Sequence, residues 1–238
     1  MAFTFKKKRF AANSKFVSDK GLIKPRRRSA LKKGVYEAFV RPVTVRLMNR
    51  YFVGNVKGLE NIPKDKPAIL AANHQSYFDF LIIPSVIKDK RVHIIAAQEL
   101  ASHPFVGVYA RNDECVLVDR NNPGIKFYKD SIKILKSNNL LLIFPEGTRS
   151  ADGSISPFKR AFVELARISG AVIIPTAIKG TRDILPKGGK RIKLNKCTVA
   201  FGLPVHVDKV VDDKTDKKRL QQISDNIRQT VVDLIKEA

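Results

Sequence analysis

The sequence predicts an α/β fold, a mostly parallel sheet flanked by helices and preceded by an N-terminal amphipathic helical segment. Six short apolar runs follow Gly58, at 68–72, 92–97, 115–118, 140–144, 172–178 and 197–201. Segments with helical periodicity separate several of them. The runs are continuously apolar rather than alternating, which is typical of strands that helices cover on both faces.

Three segments of the main body carry the period of a helix. The first opens at Asn122-Pro123, since a capping residue followed by proline is a typical helix start. The second ends at Gly170, and the third lies near the C-terminus. Their apolar positions, three or four residues apart, are Ile125, Tyr128, Ile132 and Leu135; Phe158, Phe162 and Leu165; and Leu220, Ile223, Ile227, Val231 and Leu234.

Composition divides the chain into a basic flexible arm (1–30), an amphipathic helical segment (31–55) and one domain (56–238). In the helical segment, apolar residues recur at spacings of three to five and cations stand between them. We expect Pro42 to kink or split this helix. The pattern fits a helix at a membrane interface, and it fits equally a helix packed on the core with a solvated outer face.

The chain is strongly basic. Its 238 residues include 45 Lys and Arg against 22 Asp and Glu, a formal net charge of +23. Such a field attracts an anionic membrane leaflet or a nucleic acid. No run reaches the ~18 apolar residues of a membrane-spanning helix, and the N-terminus lacks the apolar core of a secretory signal. We expect a protein of the cytosol or a membrane surface, with an organellar transit peptide as the alternative.

Several function classes find no support. Cys115 and Cys197 are the two cysteines of the chain, too few for a disulfide framework or a Cys-rich zinc module, and we expect both to be buried thiols. The four histidines do not cluster at ligand spacing, so no metal is expected. The glycine patterns of dinucleotide-binding loops, P-loops and serine-hydrolase elbows do not occur.

The motif NHQSYFD places His74 and Asp79 five residues apart, directly after the predicted strand 68–72. Sites in α/β sheets lie at the carboxyl ends of strands. If a helix begins within residues 75–80, its first turn brings the carboxylate to the imidazole and fixes the tautomer. His74 could then act as a general base on an alcohol. The alternative is a capping aspartate beside an incidental histidine.

The motif FPEGTRS, residues 144–150, also follows an apolar strand. Gly147 permits close approach to the backbone, Thr148 offers a hydroxyl and Arg149 a bidentate guanidinium. This combination suits a phosphate. We predict that Glu146 orients Arg149 or a substrate hydroxyl. The alternative is an ordinary loop with an internal Glu–Arg pair.

Together these motifs resemble those of the glycerolipid acyltransferases, most closely the bacterial 1-acyl-glycerol-3-phosphate acyltransferases. NHQSYFD corresponds to the N-H-x-x-x-x-D block of that family, and FPEGTRS to its third block. CVLVDR, which ends at Arg120, resembles the second block, and VIIPTAI around Pro175 the fourth. The resemblance covers about residues 55–205.

The resemblance implies that residues 56–238 form an acyltransferase domain. His74, held by Asp79, would deprotonate the free hydroxyl of 1-acyl-glycerol 3-phosphate, which attacks an acyl thioester and yields phosphatidic acid. The substrate-binding residues implied are Arg120, Glu146, Gly147, Thr148 and Arg149. The thioester would be that of acyl carrier protein or coenzyme A, and no cofactor or metal is implied. The amphipathic segment would dip into an anionic membrane, which places the protein peripherally on the cytoplasmic face of the cell membrane.

Two positions depart from the family pattern. The family commonly has lysine at Gln98, near the substrate phosphate, and glycine at Ala161. The missing cation keeps open an acyltransferase for another lysolipid, such as a lyso-ornithine lipid. A basic nucleic-acid-binding protein is the other alternative, since phenylalanines interleave with the cations of the arm. The main body lacks a recognisable nucleic-acid module, so no nucleic-acid partner is expected.

Overall fold

The computed structural model describes residues 34–102, 114–119, 124–208 and 216–238. The strands within these ranges are β1 (Val53–Lys57), β2 (Ala68–Ala72), β3 (Val92–Ala97), β4 (Cys115–Val118), β5 (Leu140–Ile143), β6 (Val172–Lys179) and β7 (Cys197–Phe201). They form one sheet in the order β1-β7-β6-β2-β5-β3-β4. Strands β2 to β6 are mutually parallel, whereas β7 is antiparallel to β6 and parallel to β1. The predicted mostly parallel sheet is confirmed.

Helices cover both faces of this sheet. The helices of the described residues are α1 (Arg41–Tyr51), α2 (Asp79–Val86), α3 (Ile125–Lys136), α4 (Ala161–Ser169), α5 (Thr181–Ile184) and α6 (Asp216–Glu237). A π-helical turn, Tyr36–Val40, precedes α1, and 3₁₀ turns span Leu59–Asn61 and Gln98–Ser102. Helices α1 and α2 lie on one face, and α3, α4 and α6 lie on the other.

The two-sided burial explains the continuous apolar runs. In β2, Leu70 points to the core under α1 and α2, whereas Ile69 and Ala71 point to the core under α3, α4 and α6. All five residues of β2 are buried, and so are all four of β5. Each central strand therefore needs an apolar side chain at every position.

Two sequence predictions need correction here. Residues 53–55, predicted as helix, belong to β1, which pairs with β7 from Val53 opposite Cys197. This pairing is a tertiary contact that the short VGNVK run does not signal locally. Cys197 is buried, and burial raises the pKa of its thiol to about 12. Cys115, however, is only half-buried.

The predicted split at Pro42 does not occur: the chain stays helical, and the helix type changes from π to α at Arg41. The Arg41 N–H donates to the Tyr36 carbonyl, five residues earlier, which closes the π-helical turn. Pro42 then stands in the first turn of α1, where a missing N–H is tolerated. The predicted basic arm, residues 1–30, lies outside the described residues.

The outer side of α1 and its preceding turn is apolar. Val35, Phe39, Val43, Leu47 and Tyr51 are spaced four residues apart, and between 45% and 67% of each is exposed. We call these five residues the apolar stripe. The inner side of the same helix packs on the core, with Met48 against the buried cluster and Asn49 donating to the Ser85 carbonyl at 2.8 Å. Within the described ranges, no helix is both long enough and apolar enough to span a bilayer.

A polar cluster fastens this helical segment to the sheet. The Tyr36 hydroxyl donates to Glu114 at 2.6 Å, and Arg41 and Arg91 lie 3.5 and 3.6 Å from the same carboxylate. Glu37 pairs with Arg91 and Arg41. Glu114 is buried and immediately precedes β4. The cluster therefore fixes how the apolar stripe is oriented relative to the sheet.

Replacing Glu114 with glutamine is expected to change stability in a pH-dependent way. Burial raises the pKa of Glu114, against the opposing effects of Tyr36, Arg41 and Arg91. A carboxyl with a raised folded-state pKa stabilises the fold fully below its unfolded value, near 4.5, and this contribution is lost as pH rises through the folded value. The Tm of the wild type minus that of Glu114→Gln should therefore fall as the pH rises above about 4.5. A difference that stays constant or grows would contradict the prediction.

Candidate active site

The two sequence motifs meet at one edge of the sheet. Strands β2 and β5 are parallel neighbours with Ala71 opposite Ile143, so the segments that follow them lie side by side. Strand β6 lies on the other side of β2 and ends at the same edge. The buried Asn73 joins β2 to β6, since its side chain donates to the Ile178 carbonyl at 2.9 Å and accepts from the Ile178 N–H at 2.8 Å.

His74 and Asp79 form the hydrogen-bonded pair that the spacing predicts. His74 Nδ1 lies 2.8 Å from Asp79 Oδ2, and Asp79 is fully buried as the first residue of α2. The same carboxylate oxygen accepts the backbone N–H groups of Gln75 at 2.7 Å and Ser76 at 2.9 Å. Its other oxygen accepts the Thr181 hydroxyl at 2.5 Å. Because a carboxylate only accepts, Nδ1 carries the proton and Nε2 remains as the acceptor.

The FPEGTRS loop supports His74 from the neighbouring strand. The Phe144 ring stacks on the imidazole with 4.0 Å between centroids and 17° between planes. The His74 N–H donates to Glu146 at 2.7 Å, and the His74 carbonyl accepts the Ser150 N–H at 2.8 Å. The ring and main chain of His74 are thus held from both sides.

The sequence suggested that Glu146 orients Arg149, but the structure shows other hydrogen-bond partners for Glu146. Its two carboxylate oxygens accept backbone N–H groups, one from His74 and the other from Ser156 at 2.9 Å. Burial raises the pKa of Glu146, and these two hydrogen bonds act in the opposite direction. The buried carboxylate is thus occupied by main-chain donors. Arg149 instead lies over the Tyr77 ring, with its guanidinium carbon 3.7 Å from the ring centroid.

The remaining residues of the loop form a turn that is open to a ligand. The Gly147 N–H donates to the Phe144 carbonyl at 3.0 Å, and Gly147 has a positive φ of 74°. A Cβ at this position would lie 3.3 Å from Lys159 Nζ, so any larger residue would crowd this cation. Thr148 is exposed beside Lys187, whose Nζ lies 3.4 Å from its hydroxyl and 3.0 Å from the Arg149 carbonyl.

A cavity of about 320 Å³ opens beside His74. Its walls are mainly apolar side chains of β3, β4 and the adjoining elements, and its polar lining includes Arg149, Lys159 and Lys187. Ala161, at the start of α4, also lines it, and Gln98 begins the turn after β3. Arg120 lies outside the described residues. Such a cavity matches an amphiphile with an anionic head and an apolar chain.

Sequence reasoning missed three contributors to this site. Thr181 follows β6, the strand beside β2, so the rule that sites gather at carboxyl strand ends could have found it. Tyr77 lies inside the NHQSYFD motif, but nothing local indicates that it supports Arg149. Lys187 lies in a Gly- and Lys-rich segment that the sequence presents as an ordinary surface loop.

Replacing Thr181 with valine is expected to weaken the His74–Asp79 pair without removing it. Valine keeps the shape but leaves one buried oxygen of Asp79 without its donor, a loss of about 1–3 kcal/mol in the free energy of unfolding. Catalytic turnover should fall about tenfold or less, because the base itself stays in place. Thr181→Ser, which keeps the hydroxyl, is the matched control. Equal activity and Tm for the valine variant and the wild type would contradict this role.

This site combines a hydrogen-bonded His–Asp pair with an apolar cavity whose lining includes cations. In the part of the chain that the structure describes, no group of three His, Cys, Asp or Glu side chains is placed to hold a metal ion. The Acyltransferase family model matches residues 54–179, more than half of the chain. The chain therefore belongs to the acyltransferase family.

Individual relatives carry a more specific name. A 1-acyl-sn-glycerol-3-phosphate acyltransferase of Bacillus subtilis is 30% identical over 176 residues, which are 74% of this chain and 84% of that protein. One from Limnanthes alba is 34% identical over 63% of this chain, which spans only 54% of that longer relative. The crystal structure of the 1-acyl-sn-glycerophosphate acyltransferase PlsC from Thermotoga maritima matches with a TM-score of 0.65 and 25% identity, covering 87% of this chain and 86% of that one.

Proposed function

We propose that the protein transfers an acyl chain from a thioester to the free hydroxyl of 1-acyl-glycerol 3-phosphate, which makes phosphatidic acid for phospholipid synthesis. The observation that carries this proposal is the His74–Asp79 pair, 2.8 Å apart, beside an apolar cavity with cations in its lining. The names of the Bacillus, Limnanthes and Thermotoga relatives support the same acceptor.

In the proposed reaction, His74 is the general base. Its Nε2 takes the proton of the acceptor hydroxyl while the oxygen attacks the thioester carbonyl carbon. The tetrahedral intermediate collapses, the C–S bond breaks, and the leaving thiolate takes the proton back from the imidazolium. Asp79 stays ionised throughout and stabilises the imidazolium, as in other His–Asp pairs. The hydroxyl proton thus ends on the thiol, and the balance needs no cofactor.

The phosphate of the acceptor is proposed to bind at the FPEGTRS turn. Arg149 lies over the Tyr77 ring, and its guanidinium would make two parallel hydrogen bonds to phosphate oxygens. Gly147 and Thr148 would add a close backbone approach and a hydroxyl, and Arg120 would contribute a second guanidinium. Glu146 supports this site indirectly, through the main chain of His74.

The acceptor lipid is proposed to reach this site from an anionic membrane, on whose cytoplasmic face the protein lies as a peripheral protein. The apolar stripe supports this placement, because five exposed apolar side chains on one side of a helix suit the boundary between headgroups and acyl chains. The net charge of +23 adds attraction to anionic lipids. The same charge would suit an acidic acyl carrier protein or the phosphates of coenzyme A as the acyl donor.

Acyl transfer to a panel of acceptors tests the proposed function. The purified chain would receive acyl carrier protein or coenzyme A thioesters with 1-acyl-glycerol 3-phosphate, with 1-acylglycerol, which lacks only the phosphate, or with a lyso-ornithine lipid. We expect phosphatidic acid as the main product and little transfer to 1-acylglycerol. Preference for the lyso-ornithine lipid would contradict the proposed acceptor, and would fit the uncharged Gln98.

A further inference from the structure

Residues 187–196, between α5 and β7, form a segment that is exposed along its whole length. We call it the basic loop, because it holds five cations and no acidic residue. The cations are Lys187, Lys190, Arg191, Lys193 and Lys196. Between them stand Ile192 and Leu194, which are 54% and 74% exposed. Two large aliphatic side chains are thus presented to solvent within a strongly positive segment.

The basic loop connects the cavity to the helical segment through hydrogen bonds at its two ends. At its start, Lys187 Nζ donates to the Arg149 carbonyl at 3.0 Å. At its end, Lys196 Nζ donates to the carbonyls of Arg50 at 2.8 Å and Val53 at 3.1 Å. These two carbonyls flank the end of α1, where Tyr51 completes the apolar stripe. The loop therefore continues the exposed surface from the stripe to the cavity.

The sheet topology places this surface at the edge that carries the candidate site. Because β7 is antiparallel to β6, the start of β7 lies beside the end of β6, with Thr198 opposite Lys179. Strand β1 is parallel to β7, so the end of α1 reaches the same edge. Leu203, beyond the other end of β7, is also 74% exposed. It lies away from that edge, since the preceding Gly202 N–H donates to the Pro175 carbonyl within β6.

The chemistry of the loop fits an anionic bilayer. Lys and Arg at a membrane surface pair with lipid phosphates, while neighbouring aliphatic side chains enter the boundary of the acyl chains. An acidic protein would match the cations, but the loop is continuous with the apolar stripe, and a bilayer can contact both at once. The shared edge thus favours lipid over a protein partner.

We propose that the basic loop is a second membrane-contacting element, which inserts Ile192 and Leu194 into an anionic leaflet beside the apolar stripe. The mouth of the cavity then faces the leaflet, and an acceptor lipid can enter it without crossing water. This proposal rests on the proposed function for the identity of that lipid. The contact itself can be measured without any acyl transfer.

Tryptophan fluorescence tests the contact directly, because the chain contains no tryptophan. Leu194→Trp places a single reporter in the loop, Leu203→Trp places one at an equally exposed leucine away from the site edge, and Phe39→Trp reports on the stripe. On vesicles of phosphatidylglycerol and phosphatidylcholine, we expect a blue shift and quenching by brominated acyl chains for Leu194→Trp and Phe39→Trp. The emission of Leu203→Trp should stay unchanged.

Partition into the same vesicles supplies a second measurement. The double variant Ile192→Ser/Leu194→Ser should bind about tenfold more weakly or worse, since two aliphatic side chains no longer enter the bilayer. Leu203→Ser should bind like the wild type. Unchanged emission of Leu194→Trp on vesicles would overturn the proposal, as would a shift that an acidic carrier protein causes and vesicles do not.

Activity separates this proposal from the proposed function. The double variant should transfer acyl chains to a short-chain, fully dispersed acceptor at the wild-type rate, but more slowly to acceptor held in vesicles. Equal rates of the double variant and the wild type on acceptor held in vesicles would contradict the proposed membrane contact of the basic loop. A wild type that transfers to neither form would instead refute the proposed function, while the fluorescence result would still decide the membrane contact.

Discussion

Replacing His74 with alanine is expected to lower kcat at least 10²–10⁴-fold, about the range that a positioned general base contributes, and replacing Asp79 with asparagine to lower it by up to about 10⁴-fold. The alanine variant lacks the group that takes the hydroxyl proton. The asparagine variant keeps the imidazole but loses the charge that stabilises the imidazolium. The amide of this variant would also place an NH₂ group, which donates, where Gln75, Ser76 and Thr181 already donate to the carboxylate.

The two variants should differ in stability as well as in rate. Asp79 is fully buried and accepts hydrogen bonds from three groups besides His74, so Asp79→Asn should lower the free energy of unfolding by about 1–3 kcal/mol. His74→Ala loses the stacking on Phe144 and one of the four donors to Asp79, and it should keep a Tm closer to the wild type because the other three donors remain. The measurement is initial rate together with thermal unfolding for each variant.

His206→Ala is the matched control, because this histidine is exposed beyond β7, away from the site edge. It should match the wild type in rate and in Tm. A His74→Ala protein that is folded and active within about tenfold of the wild type would refute the base assignment, since a general base contributes more than that.

The elements of the fold that the sequence predicted are those whose apolar pattern is local in the chain. The central strands β2, β5 and β6 are buried on both faces, so their signal is local and continuous. The other three predicted strands also occur, although β4 at the sheet edge is mostly half-buried. Strand β1 escaped prediction because VGNVK contains Gly54 and Asn55 and forms at the sheet edge only by pairing with β7. Pro42 does not split the helix, because it stands in the first turn of α1, and the π-helical turn before it was not predicted.

The candidate site divides in the same way. The His74–Asp79 pair was predictable because both partners lie within one turn and helix start. The partners of Glu146 were not predictable, because they are two main-chain N–H groups. One belongs to His74, just after β2, and the other to Ser156, 82 residues further along the chain. Thr181 reaches Asp79 from 102 residues away. Such long-range contacts can be predicted only when the order of the strands in the sheet is known.

Replacing Arg149 with alanine is expected to lower kcat/KM for 1-acyl-glycerol 3-phosphate about 100-fold, mainly through KM. A hydrogen bond to a charged group contributes about 1.5–3 kcal/mol, and a bidentate guanidinium supplies two of them to the phosphate. Arg149→Lys keeps the charge but offers a single point contact and loses the guanidinium contact with the Tyr77 ring, so an intermediate loss is expected. Steady-state rates over a range of acceptor concentrations measure both effects.

Two comparisons separate phosphate binding from a general effect on the loop. With 1-acylglycerol as acceptor, which has no phosphate, Arg149→Ala should match the wild type, because the lost partner has nothing to bind. Tyr77→Ala should resemble Arg149→Lys, since the Arg149 side chain keeps its charge but loses the ring beneath it. If Arg149→Ala slows transfer to both acceptors equally, Arg149 holds the FPEGTRS loop and the base in place rather than the phosphate.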